Sequence, residues 1–592
     1  LKSYLADLEK NKVPKSGKPP VANDASDLAW KSLLNLRGLP LSNLLLASTL
    51  RSQVVDAWSG IFAWCCYFHG QRVYAETVSE NAAKAIATIS SLILALYVDA
   101  DMKIPIKATI GVLALCTRLC MHPASPTAPF ILLSILQSST TIDNMDEIVI
   151  AADDDSKKIA RILILKLQLI ISQSPIPAEH TFHFVHALTN FLSIPDHPLA
   201  WTLLADTATW VVSRMLSLVA PLIGTNGSQN YSRCVHTGLT FLERALVEHN
   251  CPRSVSQAVD AGLLEAICIL STTVDRGDFA PCKPPLQHIL RDILPSNLMY
   301  LSVIKMMKRE HKDISPKLVD ATVMKSYLCD DWMSWVLLLY TRARIAKLPK
   351  EIRGVGRVAC EYANCSKTGR KSELHACGGC MYMYYCSREC QRNAWPTHRT
   401  LCKLKKSSTA REHYSLCFSL YSNLNVVVGG VPMLLDSDAS FIPQLMFTDA
   451  QVHLPHLRKV TKRDFPNEPV ENFMLSIDYT NVNYPAGTCS LKNINTYVFP
   501  PSENQSMDPA NRNAQNQEML NVVLRKPRCY TFIESIFMFG KERKTRNVVM
   551  GRSLWFSPRS DNVQSALDWQ NDRCENHEPE LGLRERFMSL TV

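Results

Sequence analysis

The stretch 360-CEYANCSKTGRKSELHACGGCMYMYYCSRECQRNAWPTHRTLC-402 holds seven of the chain's 20 cysteines in 43 of its 592 residues. As ligands it spells Cys360-x4-Cys365-x11-Cys377-x2-Cys380-x5-Cys386-x3-Cys390-x7-His398-x3-Cys402. Zn²⁺ takes four N or S donors in a tetrahedron, so eight ligands predict two sites. A site filled by four side chains keeps no position for a reacting water and is structural. Cys377-Gly-Gly-Cys380 reads as a tight knuckle whose glycines let backbone N–H groups turn toward sulfur. Cys386 with Cys390, and His398 with Cys402, are i,i+4 pairs that share one side of a helical turn. Pro396 is placed in the first turn of a second short helix, where its missing N–H costs nothing. Buried or disulfide-bonded thiols are the bland alternative. His375, two residues before Cys377, is a competing ligand by chemistry but falls outside the spacing.

With Tyr385 before Cys386, Gln391 after Cys390 and Trp395 three residues before His398, the pattern resembles a MYND finger. The resemblance covers residues 360–402, with a longer first spacing than the usual x2 and a proline after the tryptophan. It implies interleaved ligands: Cys360, Cys365, Cys386 and Cys390 on one zinc, Cys377, Cys380, His398 and Cys402 on the other. It also implies a groove at Gln391 and Trp395 that takes proline-containing peptides. Alternatively, Trp395 packs beneath the finger against Leu374 or Leu401. The layout of helical region, finger and short tail resembles the MYND-finger proteins of mushroom-forming fungi.

Outward from the finger, residues 28–348 read as successive helices. Ile86, Ile89, Ile93 and Leu96 recur at helical spacing, and Ile159 to Ile171 is apolar on nearly all sides, as a central buried helix would be. Pro105, Pro123, Pro126, Pro175, Pro177, Pro195 and Pro198 read as breaks. Val255 to Leu270, with Gly262 between two amphipathic runs, resembles the helix-glycine-helix junction of an armadillo repeat. The expected fold is mainly α: an irregular armadillo/HEAT-like region, the finger at 357–403, and a C-terminal α+β region at 404–592. That last region has candidate strands at Met474–Tyr479, Asn493–Phe499, Cys529–Phe539 and Asn547–Phe556 and a surface loop at Pro500–Gln517. Residues 1–27 are polar, and a disordered opening is expected there.

Composition narrows the function. No apolar run reaches the roughly 18 residues a membrane helix needs; Ala85 to Val98 is bounded by Lys84 and Asp99. The opening lacks a secretory apolar core, so the thirteen other cysteines are read as reduced, intracellular thiols. The net charge of +10 raises a nucleic-acid partner as an alternative. From Lys350 to Glu412 there are 13 Lys and Arg against 5 Glu, a net +8 that seven zinc-bound thiolates and two zinc ions bring down to +5. Lys403-Leu-Lys-Lys406 and Lys541-Glu-Arg-Lys-Thr-Arg546 read as solvated faces, which leaves nucleus and cytoplasm both open.

Catalytic readings are weaker. Methyltransferases whose SET domain is split by such a finger carry Asn-His-Ser-Cys after it, whereas Asn576-His577 here is followed by Glu-Pro. Gly354-Val-Gly356 lacks the preceding strand of a dinucleotide site. His180, His183 and His186 drift around their helix instead of converging. Asp153-Asp154-Asp155 reads as an acidic helix start. The expectation is a non-catalytic zinc-binding scaffold or adaptor whose partners are proteins.

Overall fold

Among the described residues up to Lys347, the apolar spacing is realised as helices. The computed structural model describes residues 2–9, 12–14, 24–38, 48–73, 80–122, 132, 134–136, 140–194, 196–223, 229–248, 252–273, 277–347, 357–360, 362, 365, 367–370, 373–379, 383–407, 427–428, 431–432, 438, 441–442, 444–446, 448–450, 461, 463–468, 472–480, 488–494, 530–539 and 542–551. They divide into two compact units.

The first unit comprises 1–249, 257–286 and 316–326. Ile86, Ile89, Ile93 and Leu96 all point into its core from the helix Glu80–Tyr97. Helix Ala178–Phe191 packs along Gln229–Glu248, which also lies against Ala208–Val219. Gly262 is left-handed (φ +95°) and caps Leu263–Ser271. A side chain there would begin 3.0 Å from the Ser217 Cβ, so both the turn and the close helix approach require glycine.

Three expectations change. Lys2–Asp7 is helical, with Leu5 and Leu8 buried and Asp7 accepting a 2.8 Å hydrogen bond from Ser32, because a short apolar face finds a partner helix. The helix Ser156–Ile171 is buried on one side only. Arg161, Leu165 and Leu169 lie on its exposed side. Pro105 sits inside the helix Ala100–Ala108 instead of ending it. Asp155 does cap its helix, accepting from the backbone N–H groups of Lys157 and Lys158.

The second unit comprises 250–256, 287–315 and 327–592. Helices Leu301–Asp313 and Cys329–Lys347 pack together in it. Asp438, buried, accepts 2.7 Å hydrogen bonds from the Ser302 backbone N–H and hydroxyl, which caps the first of them from a distant segment. Arg342 donates to Asp449 at 2.7 Å in a buried ion pair, and the Tyr479 hydroxyl donates to the same carboxylate at 2.8 Å. Unpaired, either charge would cost several kcal/mol, on the order given for buried ions.

Ten strands are described, β1 Arg357–Ala359, β2 Thr368–Arg370, β3 His375–Ala376, β4 Tyr384–Tyr385, β5 Val427–Val428, β6 Val431–Pro432, β7 Phe473–Asp478, β8 Thr488–Asn493, β9 Tyr530–Phe539 and β10 Glu542–Gly551. The largest sheet has the order β10-β9-β7-β8, with β7 and β9 parallel and the other neighbours antiparallel. Two strands start about five residues earlier than propensity placed them. β8 ends at Asn493, and β10 begins at Glu542 because pairing with Phe539 draws the charged run 542–546 into the ladder. The expected loop 500–517 lies outside the described residues.

Candidate metal centre

Two ladders and one helix build the finger. β1 pairs with β2 and β3 with β4, all antiparallel, and the helix Arg388–Ser407 follows. Ser387 caps that helix, its hydroxyl accepting from the Cys390 backbone N–H at 3.2 Å. Backbone bonds fix the ligand loops: Cys360 N–H to Lys367, Cys365 N–H to Tyr362 and Cys377 N–H to Met383. With so few apolar residues, the core here is largely the ligands themselves, packed with buried Tyr385 and Ala394.

The ligand atoms gather into two clusters. Cys360, Cys365, Cys386 and Cys390 place their sulfurs within 4.8 Å of one another, with 3.7 Å from Cys365 to Cys386 and 3.5 Å from Cys386 to Cys390. A tetrahedral ion with bonds of about 2.3 Å holds its sulfurs about 3.8 Å apart, whereas a disulfide needs about 2.05 Å. Cys377, His398 and Cys402 form the second cluster, all buried, with 3.8 Å between the sulfurs and 3.3 Å from His398 Nε2 to the Cys377 Sγ. Cys380 lies outside the described residues. Crowding four thiols has a cost: burial, and then the sulfurs of Cys390, Cys365 and Cys360, push the Cys386 thiol up to about 12. A divalent cation among them reverses that cost by favouring thiolates.

Residues 360–402 match the family model of the MYND finger. No solved structure matches the chain. MYND fingers bind zinc and generally mediate protein–protein interactions, and the two donor clusters have the chemistry zinc takes.

The geometry corrects two local expectations. The helix runs without interruption from Arg388 to Ser407, with Pro396 inside it, so there is no second short helix for that proline to open. Cys390, His398 and Cys402 all project from this one helix, while Cys386 precedes it and reaches Cys390 from the turn. Trp395 is helical for the same reason, although a residue before proline ordinarily prefers an extended backbone. Trp395 is 41% exposed, and its ring stands edge-on to His398, with 5.8 Å between centroids. Gln391, half-buried, lies one turn before Trp395 on the same helix.

His375 is exposed on β3 and belongs to neither cluster. Gly379 does more than the knuckle reading required. A Cβ there would sit 2.7 Å from the Cys402 Sγ, so the backbone itself closes over that sulfur. The spacing of Cys377-Gly-Gly-Cys380 hinted at this. Tyr385, whose ring stands edge-on to His398 at 6.1 Å, drew notice only as part of a pattern, and its burial against a ligand is what packing adds. Gly354 and Gly356 lie outside the described residues. Among those described, no single helix is long and apolar enough to cross a membrane.

Proposed function

We propose that the protein is a non-catalytic, intracellular adaptor. Its finger holds two structural zinc ions and presents Trp395 and Gln391 to proline-containing segments of partner proteins. An irregular armadillo/HEAT-like array of helices provides a second protein-binding face, and residues 404–592 supply a supporting α+β region. The observation that carries this reading is the large, part-exposed Trp395 ring braced against a metal-ligand histidine, one turn from Gln391. A fixed aromatic plate suits proline, which stacks on it and loses little entropy in doing so. Four-ligand sites favour a structural over a catalytic role for the metal. The helix-glycine-helix turn at Gly262 supports the array reading, since repeats of this kind turn tightly between packed helices.

The test uses the zinc-loaded full chain and a proline-rich ligand selected by peptide display. Trp395→Ala and Gln391→Ala should keep both zinc ions and weaken that ligand at least tenfold. Loss of zinc from Trp395→Ala would make the ring structural. Unchanged binding in both variants would put the partner surface elsewhere.

A further inference from the structure

The outer side of the helix Arg388–Ser407 carries a charged stripe that metal binding does not explain. Arg388, Arg392, Trp395 and Arg399 are all exposed and follow one another at spacings of four, three and four residues. At 3.6 residues per turn these positions fall within about 60° of one another around the helix. The ligands Cys390, His398 and Cys402, with the buried Ala394, occupy the adjoining side, turned into the finger. Among the described residues none of the three arginines is ion-paired with a carboxylate. Glu389, also exposed, stands about 60° or more off the stripe.

The helix itself gains nothing from this arrangement. Arg388 sits in the first turn, where the macrodipole disfavours a cation. Arg388 and Arg392 are a like-charged i,i+4 pair, which destabilises a helix by a few tenths of a kcal/mol. An anion supplied from outside would relieve both costs. A polyanion is a poor fit: four thiolates (−4) around one Zn²⁺ (+2) leave −2 in the first cluster, which with Glu389 offsets the three arginines at long range. Single carboxylates gain instead at contact range, each meeting one guanidinium fork in a bidentate pair. Trp395 sets the register, lying about 4.5 Å along the axis from Arg392 and about 6 Å from Arg399. A segment in the polyproline conformation advances about 3.1 Å per residue, so two residues span about 6 Å. With a proline stacked on Trp395 and the segment running along the helix, the residues two positions before and after it come to the two arginines.

We infer that Arg388, Arg392 and Arg399 select partner segments in which acidic residues flank the proline about two positions to either side. This rests on the reading of Trp395 as a proline plate, and adds the charge that chooses among proline-containing partners. Arg388, one turn beyond Arg392, extends the preference to a further acidic residue on that flank.

The test displays fully random peptides to the zinc-loaded full chain and measures the selected ones by fluorescence anisotropy, with a single-stranded oligonucleotide alongside. Selected sequences should carry Asp or Glu on both flanks of a proline. Replacing those acids by Asn or Gln should weaken binding about tenfold, and Arg392→Gln and Arg399→Gln should each weaken it about threefold, the effect of one exposed charge pair. Arg392→Glu combined with Arg399→Glu should reverse the preference, so that a Lys-flanked version of the peptide binds better than the Glu-flanked one. Asn393→Ala, exposed but off the stripe, should change nothing. Zinc content and circular dichroism confirm the folding of each variant. Proline ligands without acidic flanks, or acidic flanks indifferent to the arginines, overturn the stripe and leave the Trp395 plate in place. Acidic ligands without proline, bound independently of Trp395, overturn the plate and with it the flanked-proline motif. A selection that yields no ligand overturns both. Tighter oligonucleotide binding that collapses with salt overturns the peptide in favour of nucleic acid.

Discussion

The helix Ser156–Ile171 and the helix Arg388–Ser407 are of similar length and are held in opposite ways. The first buries Ile159, Leu163, Ile164, Leu167 and Ile170 against neighbouring helices. Among its described side chains the second buries Ala394, His398 and Cys402, two of them in the donor cluster. Apolar burial is spread over many contacts, whereas coordination concentrates stability in a few atoms around a metal that a chelator can remove. The two regions should therefore answer different insults.

Metal removal is the sharpest way to separate them. Zinc coordination contributes on the order of 10 kcal/mol to small metal domains. A strong chelator, or Cys377→Ala or Cys390→Ala, should unfold the finger while helical circular dichroism from the rest persists. Elemental analysis should give two zinc ions per native chain and fewer in either variant. A finger that resists proteolysis in chelator would erase the contrast.

The reverse perturbation is Leu163→Ala. Removing a fully buried leucine should cost about 2–5 kcal/mol in denaturant unfolding of the helical region and leave zinc content at two. Loss of zinc in this variant would mean that the two regions are not independently held.

Acid offers a third probe. His69 is buried at the end of a long helix, and burial, followed by Arg118 and His122, lowers its pKa to about 4. A histidine whose folded pKa lies below its unfolded value of about 6.5 gives full stability above that pH and loses it as pH falls toward 4. Between pH 7 and 5 the helical region should lose about 2 kcal/mol from this group. His69→Gln should flatten the profile, measured by thermal unfolding in the presence of excess zinc. The smallest effect belongs to Ser387→Ala. Loss of that cap should cost about 1 kcal/mol, seen as weaker zinc retention against a competing chelator and not as global unfolding.

The finger was the most legible part of the sequence because metal ligands must recur at spacings set by bond length and backbone reach. Cys360, Cys365, Cys386 and Cys390 could be grouped through the family resemblance, and the structure brings those four sulfurs together. What spacing could not convey was the course of the chain between ligands. Pro396 argued locally for a helix start, yet His398 and Cys402 are held by tertiary contacts strong enough to carry the helix through it. Periodicity announced the helices but not which flank of Ile159–Ile171 faces solvent, since Leu165 and Leu169 are as apolar as their buried neighbours.

One rod, Arg388–Ser407, supplies Cys390 to the first cluster and both His398 and Cys402 to the second. At about 1.5 Å of rise per residue these donors sit at fixed heights and rotations relative to one another. Filling either cluster therefore sets the orientation of the donors in the other, and the two binding equilibria are linked. Titrated with zinc, the apoprotein should pass from empty to doubly loaded with little singly loaded species in native mass spectrometry. A mutation at one cluster should weaken metal at both, a thermodynamic coupling written into a single helix.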